Sequence, residues 1–201
     1  MIVAGAGGHA LELLDILISR EMTEDLFFFD NINSIKIFNE KYPILNSEDQ
    51  VISHFKRDSR FILGTGNPEY RYKLYKFMES LGGVCFPIFG EGSIISKFSI
   101  IDQVDILNFC FVGSNTKIGI GTLINTGAQV HHEVEIGNFS EVNPGAVILG
   151  KVQIGNFTSI GANATVLPNV KVGNNVIVGA GSVVTNDIPD GVIVKGVPGK
   201  Y

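Results

Sequence analysis

Ile118-Gly-Ile-Gly-Thr-Leu-Ile124-Asn-Thr-Gly-Ala-Gln-Val130-His-His-Glu-Val-Glu-Ile136 decides the fold of this chain. An aliphatic residue returns at every sixth position. The frame extends outward through Ile94, Ile100, Ile106 and Val112 on one side. On the other it runs through Val142, Ile148, Ile154, Ile160, Val166, Val172, Val178 and Val184. Residues 94–184 hold 27 Ile or Val in 91 positions. Chance would therefore put about five on the sixteen frame positions, where all sixteen are found. A helix of period 3.6 or a strand of period 2 does not give this register. A fixed hexad predicts a parallel β-helix in which each short strand buries one aliphatic side chain.

The rest of each hexad agrees. Gly or Asn often follows the aliphatic, as at Gly113, Gly119, Asn125, Gly137 and Asn143; these residues suit the backbone of a tight corner. A slim residue comes four places on, as at Thr116, Thr122, Ala128, Ser140 and Thr158, where the walls of a narrow prism converge. Three hexads per coil stack residues eighteen apart and make a column roughly 25 Å tall.

Residues 1–89 follow another pattern and predict a small parallel sheet, a Rossmann-like half, leaving 90–201 to the β-helix and its tail. Strands are expected at 1–4, 26–29, 61–63 and 84–88. Helices are expected at 10–20, at 47–56 behind the capping Ser47, and at 69–81. In the last helix Tyr72, Leu74, Tyr75, Phe77 and Met78 form the apolar side, which leaves Arg71, Lys73 and Lys76 largely solvated. Gly5-x-Gly7-x-x-Ala10 between a strand and a helix, with Asp30 further on, is a dinucleotide-type fingerprint. A segment this short supplies half of a doubly wound domain, enough for a mononucleotide. Phosphate would sit by Gly7, Gly8 and His9, with Asp30, Asn31, Gly66 and Asn67 at neighbouring strand ends.

Composition limits the alternatives. The chain has 201 residues, 45% hydrophobic and 17% charged, with a net charge of −5 and no Lys/Arg cluster. A nucleic-acid partner is disfavoured. No apolar run reaches membrane-spanning length, and the first residues lack a secretory signal, so a cytoplasmic protein is expected. Cys85 and Cys110 read as buried thiols. Four histidines, two of them outside the repeats, leave no three-His metal site on the β-helix, so no metal is expected. The repeats hold His131 and His132 alone, followed at once by Glu133, a carboxylate able to orient an imidazole.

The whole chain resembles the bacterial sugar acyltransferases that join a nucleotide-binding domain to a left-handed β-helix. They include acetyltransferases of nucleotide-linked amino sugars and the sialic-acid O-acetyltransferase type. The resemblance rests on Gly5-Ala-Gly-Gly-His9, Gly66-Asn67 with Arg71, residues 124–133, Ile136-Gly137, Asp187-Ile-Pro-Asp190 and Gly196-Val-Pro-Gly-Lys200. It implies a homotrimer with active sites between subunits, and acetyl-CoA as co-substrate. It also implies His132 as general base with Glu133 as its tuner, His131 being the alternative if the alignment slips by one. The matching acetyl-CoA positions are Glu141, Gly150, Ala162 and Ala180, with Lys195 and Lys200 near the end of the groove. Gly150, eighteen residues beyond His132, would lie over it and offer its N–H to an oxyanion. Asn125 is a candidate substrate contact, and Asn143 a structural corner residue. Glu141 stands where relatives often carry a second His, Phe89-Gly90 where many carry one, and Gly199 where Ala is commoner.

The expected activity is acetyl transfer from acetyl-CoA to the amine of a nucleotide-linked 4-amino-4,6-dideoxy sugar. O-acetylation of sialic acid or another cell-surface sugar is the alternative, and a non-catalytic β-helix the lesser one.

Overall fold

A computed structural model describes residues 1–33 and 35–201. Two compact units form, residues 1–66 with 70–86 and residues 67–69 with 87–201.

The first unit is built on a six-stranded sheet. Its elements are β1 (Ile2–Ala4), α1 (Gly8–Ser19), β2 (Phe27–Phe29), β3 (Ile37–Phe38), β4 (Tyr42–Leu45), α2 (Glu48–Phe55), β5 (Arg60–Leu63), α3 (Pro68–Ser80) and β6 (Val84–Cys85). Strand order is β3-β4-β2-β1-β5-β6, parallel throughout except where β3 and β4 run antiparallel. The sheet is thus mixed, and larger by two strands than the sequence pattern suggests. Neither β3 nor β4 has the long apolar run of a central strand, because they lie at the sheet's edge. The expected strand at 84–88 is confined to Val84–Cys85. Ile2, Ala4, Phe61, Leu63 and Met78 form a core with no exposed surface. α2 starts as the capping signal requires, with Ser47 Oγ accepting from Gln50 N at 3.4 Å and Gln50 Oε1 accepting from Asn46 N at 2.8 Å.

Two expectations for α3 fail. Arg71 has 0% of its surface exposed, and its guanidinium donates to Leu63 O at 3.2 Å and Thr65 O at 2.8 Å. An arginine enters a core when carbonyls satisfy its fork, here the carbonyls that end β5. Tyr72, placed on the apolar side by the helical pattern, is exposed.

The second unit is a three-sided parallel β-helix with sheets of six, five and six strands. Fourteen frame residues, Ile106 through Val184 at intervals of six, are all buried. Cα partners in successive coils lie eighteen apart, as in Val112 with Val130 and Val130 with Ile148. The frame breaks at its start. Ile94 and Ile100 are 67% and 65% exposed, while Ile95 and Ile101 pack on the core. Ile95 pairs with Val112 and Ile101 with Ile118, seventeen residues on. The first coil is one residue short, and in a strand a one-residue slip exchanges the two faces.

Corner geometry also corrects the reading of the glycines. The left-handed backbone falls three places after the aliphatic, as at Asn115, Glu133, Lys151 and Asn169. Glycine directly after the aliphatic serves close approach instead: a Cβ on Gly113 would lie 2.7 Å from His132 N in the next coil.

The slim residues do more than fit. Thr122, Ser140 and Thr158 form a buried hydroxyl ladder, each donating to a glycine carbonyl one coil on, at Gly137, Gly155 and Gly173. Each also accepts a backbone N–H, from Ser140, Thr158 and Val176 in turn. Asn138, Asn156 and Asn174 form an outer ladder that Asp190 Oδ1 ends by accepting Asn174 N at 2.8 Å. Asp187 Oδ1 accepts Lys171 N at 2.8 Å. The two carboxylates of the closing motif therefore cap backbone donors of the last coil. Among the described residues no helix is long and apolar enough to cross a membrane.

Candidate active site

Along the chain, the first sheet of the β-helix passes through 129–130, a corner through 131–133, the second sheet through 135–136, and the third through 141–142. The corner between the first and second sheets carries the histidines. His132 is 61% exposed, and its Nδ1 lies 3.1 Å from Glu133 Oε2. With a carboxylate at Nδ1, the ring holds its proton there and presents Nε2 as acceptor. Glu133 reaches back because its own backbone is left-handed, φ 59°, and its N–H is fixed to Ser114 O at 2.9 Å. His131 is placed differently: its ring packs against Phe111, with the centroids 5.5 Å apart.

Gly150 lies over His132, where the eighteen-residue spacing puts it. A Cβ there would be 2.5 Å from His132 Cε1 and 2.6 Å from Nε2, so only glycine leaves the ring in this position. Among the described residues no carbonyl accepts the Gly150 N–H, which suits a donor reserved for a ligand.

The remaining candidates on the β-helix occupy another edge. Asn125, Ala162 and Ala180 lie at the corner between the third and first sheets, and Glu141 on the third sheet itself. Asn125 is buried, and its Oδ1 accepts Thr126 N at 2.8 Å. Asn143 donates to Ser159 Oγ and Ile160 O, both at 3.1 Å, a structural corner contact. Glu141 Oε2 accepts from Ser159 Oγ at 3.4 Å. Lys195 and Lys200 pair as a short antiparallel bridge in the tail. One chain therefore brings His132, Glu133 and Gly150 together and keeps Asn125, Glu141, Ala162 and Ala180 apart from them. Cys110 is buried, with its thiol 3.1 Å from Asn125 O, and burial pushes its pKa up. Cys85, expected to be buried as well, is only partly covered because it lies on the edge strand β6; neither cysteine forms a disulfide.

The α/β unit has its own crevice, about 620 Å³, at the carboxyl ends of β1, β2 and β5. Gly5, Gly7, Asp30 and Asn31 line it as the fingerprint suggests. At the third strand end the lining residues are Gly64 and Thr65, not Gly66 and Asn67. Lys73 and Tyr70 of α3 line it too, with Lys73 Nζ 5.6 Å from the Tyr70 ring centre. Sequence reasoning missed both, since helical periodicity marks a polar face and does not tell crevice from bulk solvent. Asp30 is occupied by its own loop: Oδ1 accepts from Ile32 N and Asn33 N, and Oδ2 from Asn33 Nδ2. Partial burial, the largest single influence, pushes its carboxyl up, but these bonds together hold it below the usual range. His9 is turned inward, with 11% of its side chain exposed and Nδ1 3.5 Å from Glu12. Burial, and secondarily the charge of Arg71, lowers its pKa to about 4. Its Nε2 is buried with no hydrogen-bond partner among the described residues. α1 begins at Gly7 with no side-chain cap, leaving its first N–H groups to a ligand or water. Among the described residues no three His, Cys, Asp or Glu side chains are grouped to hold a metal.

Residues 1–78 match the PglD N-terminal domain, and residues 151–186 match the bacterial transferase hexapeptide model. The chain is an acyltransferase that carries both domains. Its β-helix is of the left-handed type. The acetyltransferase domain of PglB from Neisseria gonorrhoeae, solved with acetyl coenzyme A, is 26% identical. That match covers 99% of this chain and 97% of that one, with a TM-score of 0.91. A histidine variant of GDP-perosamine N-acetyltransferase from Caulobacter crescentus, solved with CoA and GDP-perosamine, is 25% identical, covers 99% and 94%, and has a TM-score of 0.91. WeeI from Acinetobacter baumannii shares the fold at 22% identity over 99% and 97%, with a TM-score of 0.70. This acyltransferase thus carries a crevice with nucleotide-type strand ends in one unit and a single His-Glu corner in the other.

Proposed function

We propose that the protein transfers the acetyl group of acetyl-CoA to the amine of a nucleotide-linked 4-amino-4,6-dideoxy sugar. His132 Nδ1 set against Glu133 beneath an unobstructed Gly150 carries this reading. The uncharged sugar amine attacks the thioester carbonyl carbon, forming a C–N bond. His132 Nε2 takes a proton from the nitrogen, while Glu133 stabilises the resulting imidazolium. The oxyanion of the tetrahedral intermediate receives the Gly150 N–H. Collapse breaks the C–S bond, and the imidazolium returns the proton to the departing CoA sulfur. The nucleotide belongs in the α/β crevice, its phosphates by the uncapped start of α1 at Gly7, Gly8 and His9, and the rest of it against Asp30, Asn31, Gly64 and Thr65.

Acetyl-CoA is assigned to Gly150, Glu141, Ala162 and Ala180, with Asn125 on the same edge as the two alanines. Separation of Glu141, Ala162, Ala180 and Asn125 from His132 on one chain supports a homotrimer in which neighbouring copies complete each site. The first sheet, which lies between the two edges, shows Phe111, Gln129, Val147, Thr165 and Val183 outward and no charge; the second shows Lys117, Glu135, Gln153 and Lys171. An uncharged face between two half-sites fits the head-to-tail contact of a closed ring. A cytoplasmic location fits an enzyme using acetyl-CoA and a nucleotide sugar.

The deciding assay measures CoA release with UDP-, GDP- and dTDP-linked 4-amino sugars and with sialic acid, for the natural chain and His132→Ala. One nucleotide amino sugar should react, and His132→Ala should lower kcat by about 10²–10⁴. Reaction with sialic acid alone would overturn the acceptor, and full activity of His132→Ala would overturn the base.

A further inference from the structure

Glu133 serves two partners. The Oε2 that meets His132 Nδ1 at 3.1 Å also lies 3.9 Å from Lys151 Nζ. Lys151 is stacked on Glu133 from the next coil, both in left-handed backbone with φ 62° and 59°. Its backbone N–H donates to His132 O at 3.1 Å, so the lysine is tied to the histidine's own peptide.

We propose that Lys151 is a positioning residue that tunes the base: its ammonium draws on the Glu133 carboxylate and opposes protonation of His132. This rests on His132 being the base. A carboxylate alone at Nδ1 favours the imidazolium, and an imidazole already protonated cannot accept the amine's proton. An ammonium on the same carboxylate oxygen offsets that bias while leaving the hydrogen bond that orients the ring.

Among the described residues, the other charges on the packed elements are paired elsewhere or set apart from the corner. Glu135 on the following strand is taken by Lys117 at 2.7 Å. Glu135 stacks on Gln153, and Gln153 on Lys171, so an uncharged residue separates Lys171 from the corner's own coil. His131, the remaining titratable group at the corner, packs on Phe111. The corner residues of the coils before and after, Ser114, Asn115 and Asn169, are uncharged.

Lys151 and Glu133 are both solvent-accessible, so the pair adds little to stability. Its effect is read in the rate. A unit charge that can lie no farther than about 7 Å from His132 Nδ1, acting through water, moves the acid limb by about 0.4 pH unit at low salt.

The test is kcat/KM against pH for the whole protein with acetyl-CoA and its amino-sugar acceptor, comparing Lys151→Met, Lys151→Glu and Lys151→Arg with the natural chain. The acid limb should rise by about 0.4 pH unit in Lys151→Met and about twice that in Lys151→Glu, and return in Lys151→Arg. Rates on the acid side should fall about two- to threefold in Lys151→Met, with KM for both substrates held, and added salt should shrink the shift. An unmoved limb overturns the proposal. So does a raised KM for acetyl-CoA with the limb in place, which would make Lys151 a substrate anchor. Activity surviving in His132→Ala marks failure of the base assignment instead, a separate result.

Discussion

The β-helix and the α/β unit translate sequence into space by different rules. In the β-helix, eighteen residues along the chain is one step up the column, so Gly150 could be set over His132 by counting, and a Cβ there would lie 2.6 Å from the ring nitrogen. In the α/β unit no such ruler exists. Arg71 and Lys73 are two residues apart on one helix, yet one is wholly buried against the end of β5 and the other lines the crevice. A repeat fixes neighbours; a single-copy fold leaves them to tertiary packing.

The sharpest way to break this contrast is Gly150→Val. If stacking sets the catalytic geometry, the added side chain displaces the imidazole, and an ångström of misplacement costs about a hundredfold in kcat. Circular dichroism and the oligomer should be unchanged, because the glycine has an ordinary backbone. Activity within a few-fold of the natural chain would show that His132 is not held where the reaction needs it.

Arg71→Met probes the other rule. It keeps most of the volume and removes the donors, leaving the carbonyls of Leu63 and Thr65 without that partner inside the core. A loss of about 2–3 kcal/mol in the urea unfolding of the α/β unit is expected. Weaker nucleotide-sugar binding should accompany it, since Thr65 lines the crevice. A stability change within about 0.5 kcal/mol, the usual range for a surface site, would restore the solvated reading of the helix pattern.

How much was legible follows the same division. The β-helix, its buried column and the His-Glu corner could be read because each depends on period and adjacency. The closing Asp187 and Asp190 were visible as a motif, but their work as caps of Lys171 N and Asn174 N depends on where the last coil stops. The strands at Ile37–Phe38 and Tyr42–Leu45 escaped notice because a short edge pair has no alternation long enough to count. Tyr70 and Lys73 carried no signal at all, since a crevice is made by three strand ends and a helix that meet only after folding.

Within the hexad frame counting fails at the first coil, and that place gives the smallest and cleanest test. A perfect hexad puts Ile94 and Ile100 inside; the short first coil puts Ile95 and Ile101 there instead. Ile101→Ala should therefore cost about 1–2 kcal/mol, less than a fully buried site because Ile101 is only partly covered. Ile100→Ala should stay within about 0.5 kcal/mol. Thermal unfolding of the two variants side by side decides between the frames, and the opposite order would mean that the hexad runs unbroken to Ile94. The slip has a physical reason to sit at an end. Inside the column each strand is bonded on both edges to coils of eighteen residues, so a deletion there would turn a buried side chain outward against two fixed neighbours. At the first coil a strand has one such neighbour, and a seventeen-residue coil can close without disturbing the rest.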